Sequence, residues 1–475
     1  MGKYSRLWKN TVLVFIGNAG AKLIGLLMLP FYTRWLSVED YGTTDIINVY
    51  VSLLLGLVTA CIAESVFIFP KGQSCEKQKS YFSSGLFFSF LSLLLLAILF
   101  EAANIIFEFK GISNSFADNS WLIYGLLVTT FLQQYIQQFT RSIDKMKVYS
   151  ITGIVLTGST ALFSFLIIPK WGVFGYVFAL ILANLSAAIY SFLFSGSFRY
   201  LAITSIKKIA CIEMLKYSIP LIPNSIMWWL VSALNRPLME SHLGMHAIGI
   251  FAVANKFPGI LTMAFAMFAT SWQISVLEEF GKAGYANFFN KIFRFVVFGL
   301  MCLFFVITIG SKFIVSIFAT DGFFEAWKYI PILTLGVIFS NISSFAGTNF
   351  SATRESKYFF YSSIWGAGSS IVFNFILIPW IGTMGAAISL LLSFAVMVIV
   401  RIKYGWKYVK IQHLINYVGM FLLGGGLIIV CLNVQMVLLK YCLISLLFFL
   451  LLIANYDLKK DFIKLYVKTK KKIIK

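Results

Sequence analysis

The chain has 475 residues, of which 59% are hydrophobic and only 12% charged, with a formal net charge of +21. Soluble globular chains carry roughly 25% charged residues, so the composition excludes an ordinary water-soluble enzyme. Surplus positive charge can mark a binder of phosphate backbones, but here it follows the alternation of short membrane loops, and no nucleic-acid partner is expected.

The first ten residues are basic and lead into an apolar stretch ending near Leu36. That stretch exceeds the roughly 7 to 15 residues of a signal-peptide core, so it reads as a first span. Apolar runs of about 20 residues cross a bilayer. In chain order they fall at 10–36, 43–69, 81–107, 120–140, 148–169, 172–198, 214–237, 246–273, 288–318, 327–351, 358–379, 382–402, 412–434 and 437–455. The expected fold is an all-α polytopic membrane protein of about fourteen transmembrane helices, with connections too short for a soluble domain. The six cysteines are scattered without paired or metal-ligand spacing.

Short cytoplasmic loops retain Lys and Arg. One set of alternate loops, together with both chain ends, carries most of the 39 such residues, including the loop 401–410, while the opposite loops hold only Lys110, Lys170, Lys312 and Lys328. Both ends are therefore expected in the cytoplasm, and the Lys-rich tail lies against anionic lipid. The chain also repeats itself. At an offset of 207, Pro30, Leu36, Gly42 and Asn48 match Pro237, Leu243, Gly249 and Asn255; at 210, Pro169, Gly172 and Gly175 match Pro379, Gly382 and Gly385. Six spans per copy is an even number, so the copies run parallel. The expected organisation is a six-helix half at 1–200, a second at 201–405, an extra helix pair at 406–456 and a basic tail at 457–475. Such repeats belong mainly to transporters that expose a central site alternately to either face.

Ionisable groups inside spans are costly and therefore candidate functional residues. Lys22 lies twelve residues into the first span, roughly 18 Å along a helix, on one face with Asn18 and Gly25. Lys256 lies at similar depth in the eighth span, beside Asn255. Arg34 and Arg236 stand at the outer ends of the first and seventh spans, where long side chains also snorkel to the interface. These four cations are candidate substrate ligands, with Asn18, Asn48 and Asn255 as polar cavity residues. Asp45, Asn48, Ser52, Gly56, Thr59 and Ala63 form one small or polar stripe with Glu64 at its inner end, which fits a cavity wall or a packing face. Asp45 and Glu64 are candidates for ion coupling. Gln133, Gln134, Gln137 and Gln138, and Asn341, Ser344 and Thr348, either bind sugar hydroxyls or join helices. Trp228 and Trp229 either stack on sugars or pack. No phosphate-binding glycine loop is present, and His242 and His246, at i and i+4, lack the acidic residue of a zinc motif. No catalytic residue, metal or cofactor is expected, and coupling to a proton or sodium gradient is open. The pair Glu39 and Asp40 keeps a membrane glycan polymerase or glycosyltransferase as an alternative.

The stretch from Leu29 to Gly42, LPFYTRWLSVEDYG, preceded by Asn10 and Gly17 to Lys22, resembles the first hairpin of bacterial flippases for O-antigen and capsule repeat units. These belong to the multidrug, oligosaccharidyl-lipid and polysaccharide exporter superfamily. The Pro-xx-Gly-xx-Gly joints, the repeat and the basic tail agree, so the resemblance covers nearly the whole chain. It implies a MATE-like fold in the bacterial cytoplasmic membrane and a cationic cavity. It also implies, as substrate, an undecaprenyl-diphosphate-linked oligosaccharide moved to the outer leaflet. Membrane lipids and the polysaccharide polymerase machinery are implied contacts. An exporter of drugs or of peptidoglycan precursors on the same fold is the related alternative.

Overall fold

Proline, glycine and one capped serine set where this chain turns. The computed structural model describes residues 24–111, 114–353, 355 and 357–454, which form helices and short connections with no strand among them. Asn18, Lys22 and the basic tail lie outside the described residues.

Leu29–Trp35 (α1) carries Pro30 in its first turn, and Val38–Val58 (α2) follows after Ser37. The Ser37 hydroxyl accepts from the Asp40 amide at 3.0 Å, and the Asp40 carboxylate accepts from the Ser37 amide at 3.3 Å. This reciprocal cap satisfies two amides that a helix start otherwise leaves open. Asp40 is thus committed to backbone, which weakens its candidacy as a catalytic acid. The span expected over 43–69 is two helices. Ala60 and Cys61 take left-handed φ of 50° and 52°, and the Cys61 amide reaches back five residues to the Gly56 carbonyl before Ile62–Ile68 (α3) resumes. No Gly or Pro marks that break.

Cys75–Lys110 (α4) and Ser120–Ser142 (α5) lead to Met146–Ser195 (α6), whose 50 residues would run about 75 Å if straight, over twice a bilayer core. It folds back instead. Gly172 leaves helical geometry (φ 51°, ψ −127°), and a Cβ on Gly175 would fall 2.8 Å from the Ile167 carbonyl oxygen. Eight residues of straight helix would hold those positions about 12 Å apart. Lys357–Gly405 (α13 in the chain order below) repeats the device, with Gly382 at φ 60° and Gly385 against the Leu377 carbonyl. The two joints found at offset 210 are therefore reversal points.

Lys208–Ser218 (α7), a tight turn at Ile219–Leu221 and Ile222–Ser232 (α8) precede Asn235–Lys256 (α9). Helix α9 reverses at Gly244 (φ 79°, ψ 179°). The Arg236 guanidinium accordingly sits 4.8 Å from the Phe251 ring, fifteen residues later and about 22 Å away in a straight helix. His242 and His246 flank this reversal, so they do not share a helix face. The remaining elements are Pro258–Glu279 (α10), Tyr285–Phe318 (α11), Ile330–Ala352 (α12), α13, Leu414–Asn433 (α14) and Val437–Ala454 (α15). Among the described residues, 8 helices are long and apolar enough to cross a membrane, and α6 and α13 each supply two legs by folding back.

Contacts group the chain into two units: Met1–Lys256 with Phe318–Phe323 and Asn374–Ala386, and Phe257–Ile317 with Phe324–Phe373 and Ala387–Lys475. Inside the first, α2 and α9 pack through glycines. A Cβ on Gly42 would strike the Met245 carbonyl, and one on Gly249 would strike the Val38 carbonyl. Gly249 and Met245 are Gly42 and Val38 advanced by 207 residues, so the contact is its own image under the repeat. Only glycine permits so close a backbone approach.

In the second unit Trp272 stacks on Phe345 at 4.4 Å and donates to Thr348. The final helix pair packs through Gly424 against Met301 and Phe304, and the Lys440 ammonium bonds the Cys431 carbonyl at 2.9 Å, tying α15 to α14.

Candidate functional site

The polar stripe of α2 meets the seventh span. Arg236, 4% exposed, places Nε 3.3 Å from the Asp45 carboxylate and donates through a terminal nitrogen to the Ser232 carbonyl (2.7 Å) and the Asn235 side chain (2.8 Å). One turn on, Glu240 accepts from the Tyr50 hydroxyl at 2.9 Å and from the Ser115 amide at 2.8 Å. Helix α9 thus offers one cation and one anion at i and i+4, and α2 answers each. Arg236 is not a snorkelled interfacial residue, because the reversal at Gly244 carries its span two turns further than the apolar run suggests.

Lys256 ends α9 and is half-buried, as is Asn255. It acts electrostatically on the hydroxyls of Tyr32 and Tyr176. Those rings pack edge to face at 5.2 Å, and Tyr32 shares a hydrogen bond of 3.2 Å with Ser164. Asp45 acts on Tyr41 and Tyr176, so Lys256, the tyrosines and the Asp45–Arg236 pair form one electrostatic neighbourhood. Among the described residues no carboxylate is ion-paired with Lys256. Lys256 lies in a helix long and apolar enough to cross a membrane, where ionisable groups are rare and usually partnered.

The structure pairs Asp45 with Arg236, and Lys256 and Asp45 both act electrostatically on Tyr176. Asn48 is half-buried on the same face of α2 as Asp45, its amide donating to the Thr44 carbonyl at 2.7 Å. Arg34 is exposed beside a contact of Thr33 with Thr320. Glu64 is exposed on α3, beyond the break at Ala60, and about 20 Å of helix separates Asp45 from the end of α2. The two carboxylates therefore do not form a pair. Lys22 and Asn18 lie outside the described residues. Gly56 faces Ser225 and the Trp229 indole donates to the Val49 carbonyl at 3.0 Å, so part of the stripe is a packing face toward α8. Gln133 bonds Gln137 at 2.7 Å and Gln137 bonds the Tyr149 carbonyl at 3.1 Å, which joins α5 to α6.

Sequence reasoning passed over two residues here. Glu240 stands four residues after Arg236, a spacing that signals a shared face. Arg401, counted with the loop 401–410, is 1% exposed inside α13. It donates to the Ser362 hydroxyl at 3.0 Å and the Ser343 carbonyl at 3.3 Å, lies 5.1 Å from the Phe359 ring, and leaves one terminal nitrogen without a partner. The expected span 382–402 and the charged loop 401–410 overlap at this residue, and the structure places it in the helix, which runs to Gly405.

Comparison with known proteins agrees with this architecture. The chain is similar to a lipid II flippase, MurJ, in an inward closed conformation, with 15% identity and a TM-score of 0.61 over 96% of this chain and 99% of that one. A transporter of the MOP superfamily from Pyrococcus furiosus matches at 12% identity and a TM-score of 0.58, covering 84% and 94%. A multidrug resistance MATE family transporter in an inward-facing conformation matches at 12% and 0.58, covering 86% and 96%. At such identities the likeness shows the fold, which is that of transporters. No curated protein matches the sequence. The model of the family described as "Polysaccharide biosynthesis protein" matches residues 7–273, more than half of the chain, and the protein belongs to that family.

Proposed function

We propose that this protein moves undecaprenyl-diphosphate-linked oligosaccharide repeat units from the cytoplasmic to the outer leaflet of the bacterial inner membrane by alternating access. The glycan would serve an O-antigen, a capsule or another surface polysaccharide. The observation that carries this reading is Lys256, an ammonium at membrane depth beside tyrosine hydroxyls with no acid ion-paired to it among the described residues, in a chain of a polysaccharide biosynthesis family. A diphosphate supplies the missing anion, and tyrosine hydroxyls and asparagine amides suit the adjoining sugar.

Asp45 and Arg236 give the coupling step. With Asp45 ionised, Arg236 is occupied; protonating Asp45 releases the guanidinium for phosphate, with which it forms strong charge-assisted bonds. Proton binding at Asp45 and substrate binding at Arg236 then favour one another. Lys22, on the sequence reading, adds a third cation, and Arg34 and Glu64 stay outside this step. Both chain ends lie in the cytoplasm on this reading, the halves 1–200 and 201–405 rock against each other, and polymerase machinery receives the product. An exporter of lipid-linked peptidoglycan precursors is the second reading, favoured by the likeness to a lipid II flippase.

Deletion should cause lipid-linked repeat units to accumulate and surface glycan to fall, and complementation with Lys256→Gln should restore at most about a tenth of export, as losing one charge-assisted contact of about 1.5–3 kcal/mol implies. Full surface glycan in the Lys256→Gln strain, with expression confirmed, overturns the reading.

A further inference from the structure

A groove of about 340 Å³ lies between α4 and α5, floored by the segment that links the sixth and seventh spans. Phe87, Phe90 and Leu93 line one side, Phe131 and Leu132 the other, and Ile203 the floor. The one polar residue at its wall is Ser83, whose hydroxyl donates to the Tyr200 carbonyl at 3.0 Å and accepts from the Ala202 amide at 2.9 Å. A water there would find few polar partners, and a buried water needs two to four. The groove's walls therefore suit hydrocarbon better than water.

The floor also carries charge. Arg199, Lys207 and Lys208 are exposed, interleaved with exposed Leu201, Ile203 and Ile209, and 197–208 contains no acidic residue. Ser84 fixes the basic end, accepting from the Lys207 amide at 2.9 Å and donating to its carbonyl at 3.3 Å. The nearby acid Glu213 is taken by the Tyr81 hydroxyl at 2.7 Å. Apolar side chains beside basic ones are the pattern of a segment lying at the headgroup level.

We infer that this groove is a binding site for an anionic phospholipid, with one acyl chain along Phe87, Phe90 and Phe131 and the phosphate on Lys207 and Lys208. Its walls offer nothing polar to a saccharide, so it is a separate site from the Arg236 and Lys256 neighbourhood, and it does not rest on the glycolipid reading.

Native mass spectrometry of the purified full chain, titrated separately with phosphatidylglycerol, phosphatidylethanolamine and undecaprenyl phosphate, tests the assignment. Phosphatidylglycerol should bind at least tenfold more tightly than phosphatidylethanolamine. Lys207→Gln with Lys208→Gln should remove about twenty-fivefold of that affinity, at roughly fivefold per surface cation, and leave phosphatidylethanolamine unchanged. Leu132→Trp, which fills the groove, should reduce both phospholipids alike. The charge variant alters exposed residues and keeps the test usable if Leu132→Trp does not fold. Equal affinity for the two phospholipids, indifference to the charge variant, or displacement of phosphatidylglycerol by undecaprenyl phosphate at equal concentration would overturn it.

Discussion

Two buried arginines in this chain meet opposite surroundings. Arg236, in the first unit, faces Asp45 at 3.3 Å. Arg401, in the second, is still more buried yet meets a serine hydroxyl, a serine carbonyl and a phenylalanine ring. Neither is repeated. The position matching Arg236 at offset 207 is Leu29, and that matching Arg401 at offset 210 is Ser191, which bonds Thr140 at 2.9 Å. Shared glycines, in contrast, build the frame, as the reciprocal contact of Gly42 and Gly249 shows. The duplicated part of the sequence makes helices and turns, and the two buried arginines stand outside it.

The pair separates most clearly when each arginine is replaced by an apolar side chain of similar length. Arg236→Met strands the Asp45 carboxylate, whose side chain is 19% exposed, and breaking a buried pair in this way costs about 3–5 kcal/mol. The melting temperature in detergent should fall sharply, and Asp45→Asn added to Arg236→Met should restore much of it. If the double variant is no more stable than Arg236→Met, the pair is not coupled.

Asp45→Asn alone should cost less, about 1–3 kcal/mol. Arg236 keeps the Ser232 carbonyl, the Asn235 side chain and the Phe251 ring, and a cation among neutral acceptors is the state in which Arg401 already exists.

Arg401→Met should shift stability by less than about 1 kcal/mol in either direction, since an apolar side chain of similar volume replaces a buried charge at little net cost. It orphans a hydroxyl that can turn to its own helix. A loss as large as that of Arg236→Met would mean that the Ser343 and Ser362 bonds carry more than their geometry suggests.

How much of this was readable beforehand depended on whether a signal was local. The hairpin joints at Pro169 and Pro379 were legible because proline and glycine act on their own backbone. Arg236 and Asp45 stood out as charges in apolar runs, but their partnership links positions 191 residues apart, and nothing in a single sequence states it. The family resemblance anticipated the transporter fold and the polysaccharide family. Arg401 was counted with the loop 401–410 although the expected span 382–402 already held it, because a charge count does not show which side of a helix is buried. The break at Ala60 and Cys61 escaped because no residue type announces it. The apolar groove beside α4 was invisible, since its shape arises from Ser83 holding a distant segment.

The smallest effect belongs to the surface counterpart of these pairs. Lys407 lies 2.8 Å from Glu355 in the second unit, and that carboxylate holds its ammonium above the ordinary lysine range. A raised folded-state value contributes stability that is complete below the unfolded value and lost only as pH rises through the higher one. At about pH 6 to 9 the lysine is charged in both states, so the contribution is flat there. Lys407 is also exposed, and solvent and salt screen such pairs. Lys407→Gln should therefore leave the melting temperature and export unchanged, and their insensitivity to salt should match that of the parent. A measurable fall would show that Lys407 meets something more than water when the protein cycles, which neither buried arginine needs to do to keep its place in the fold.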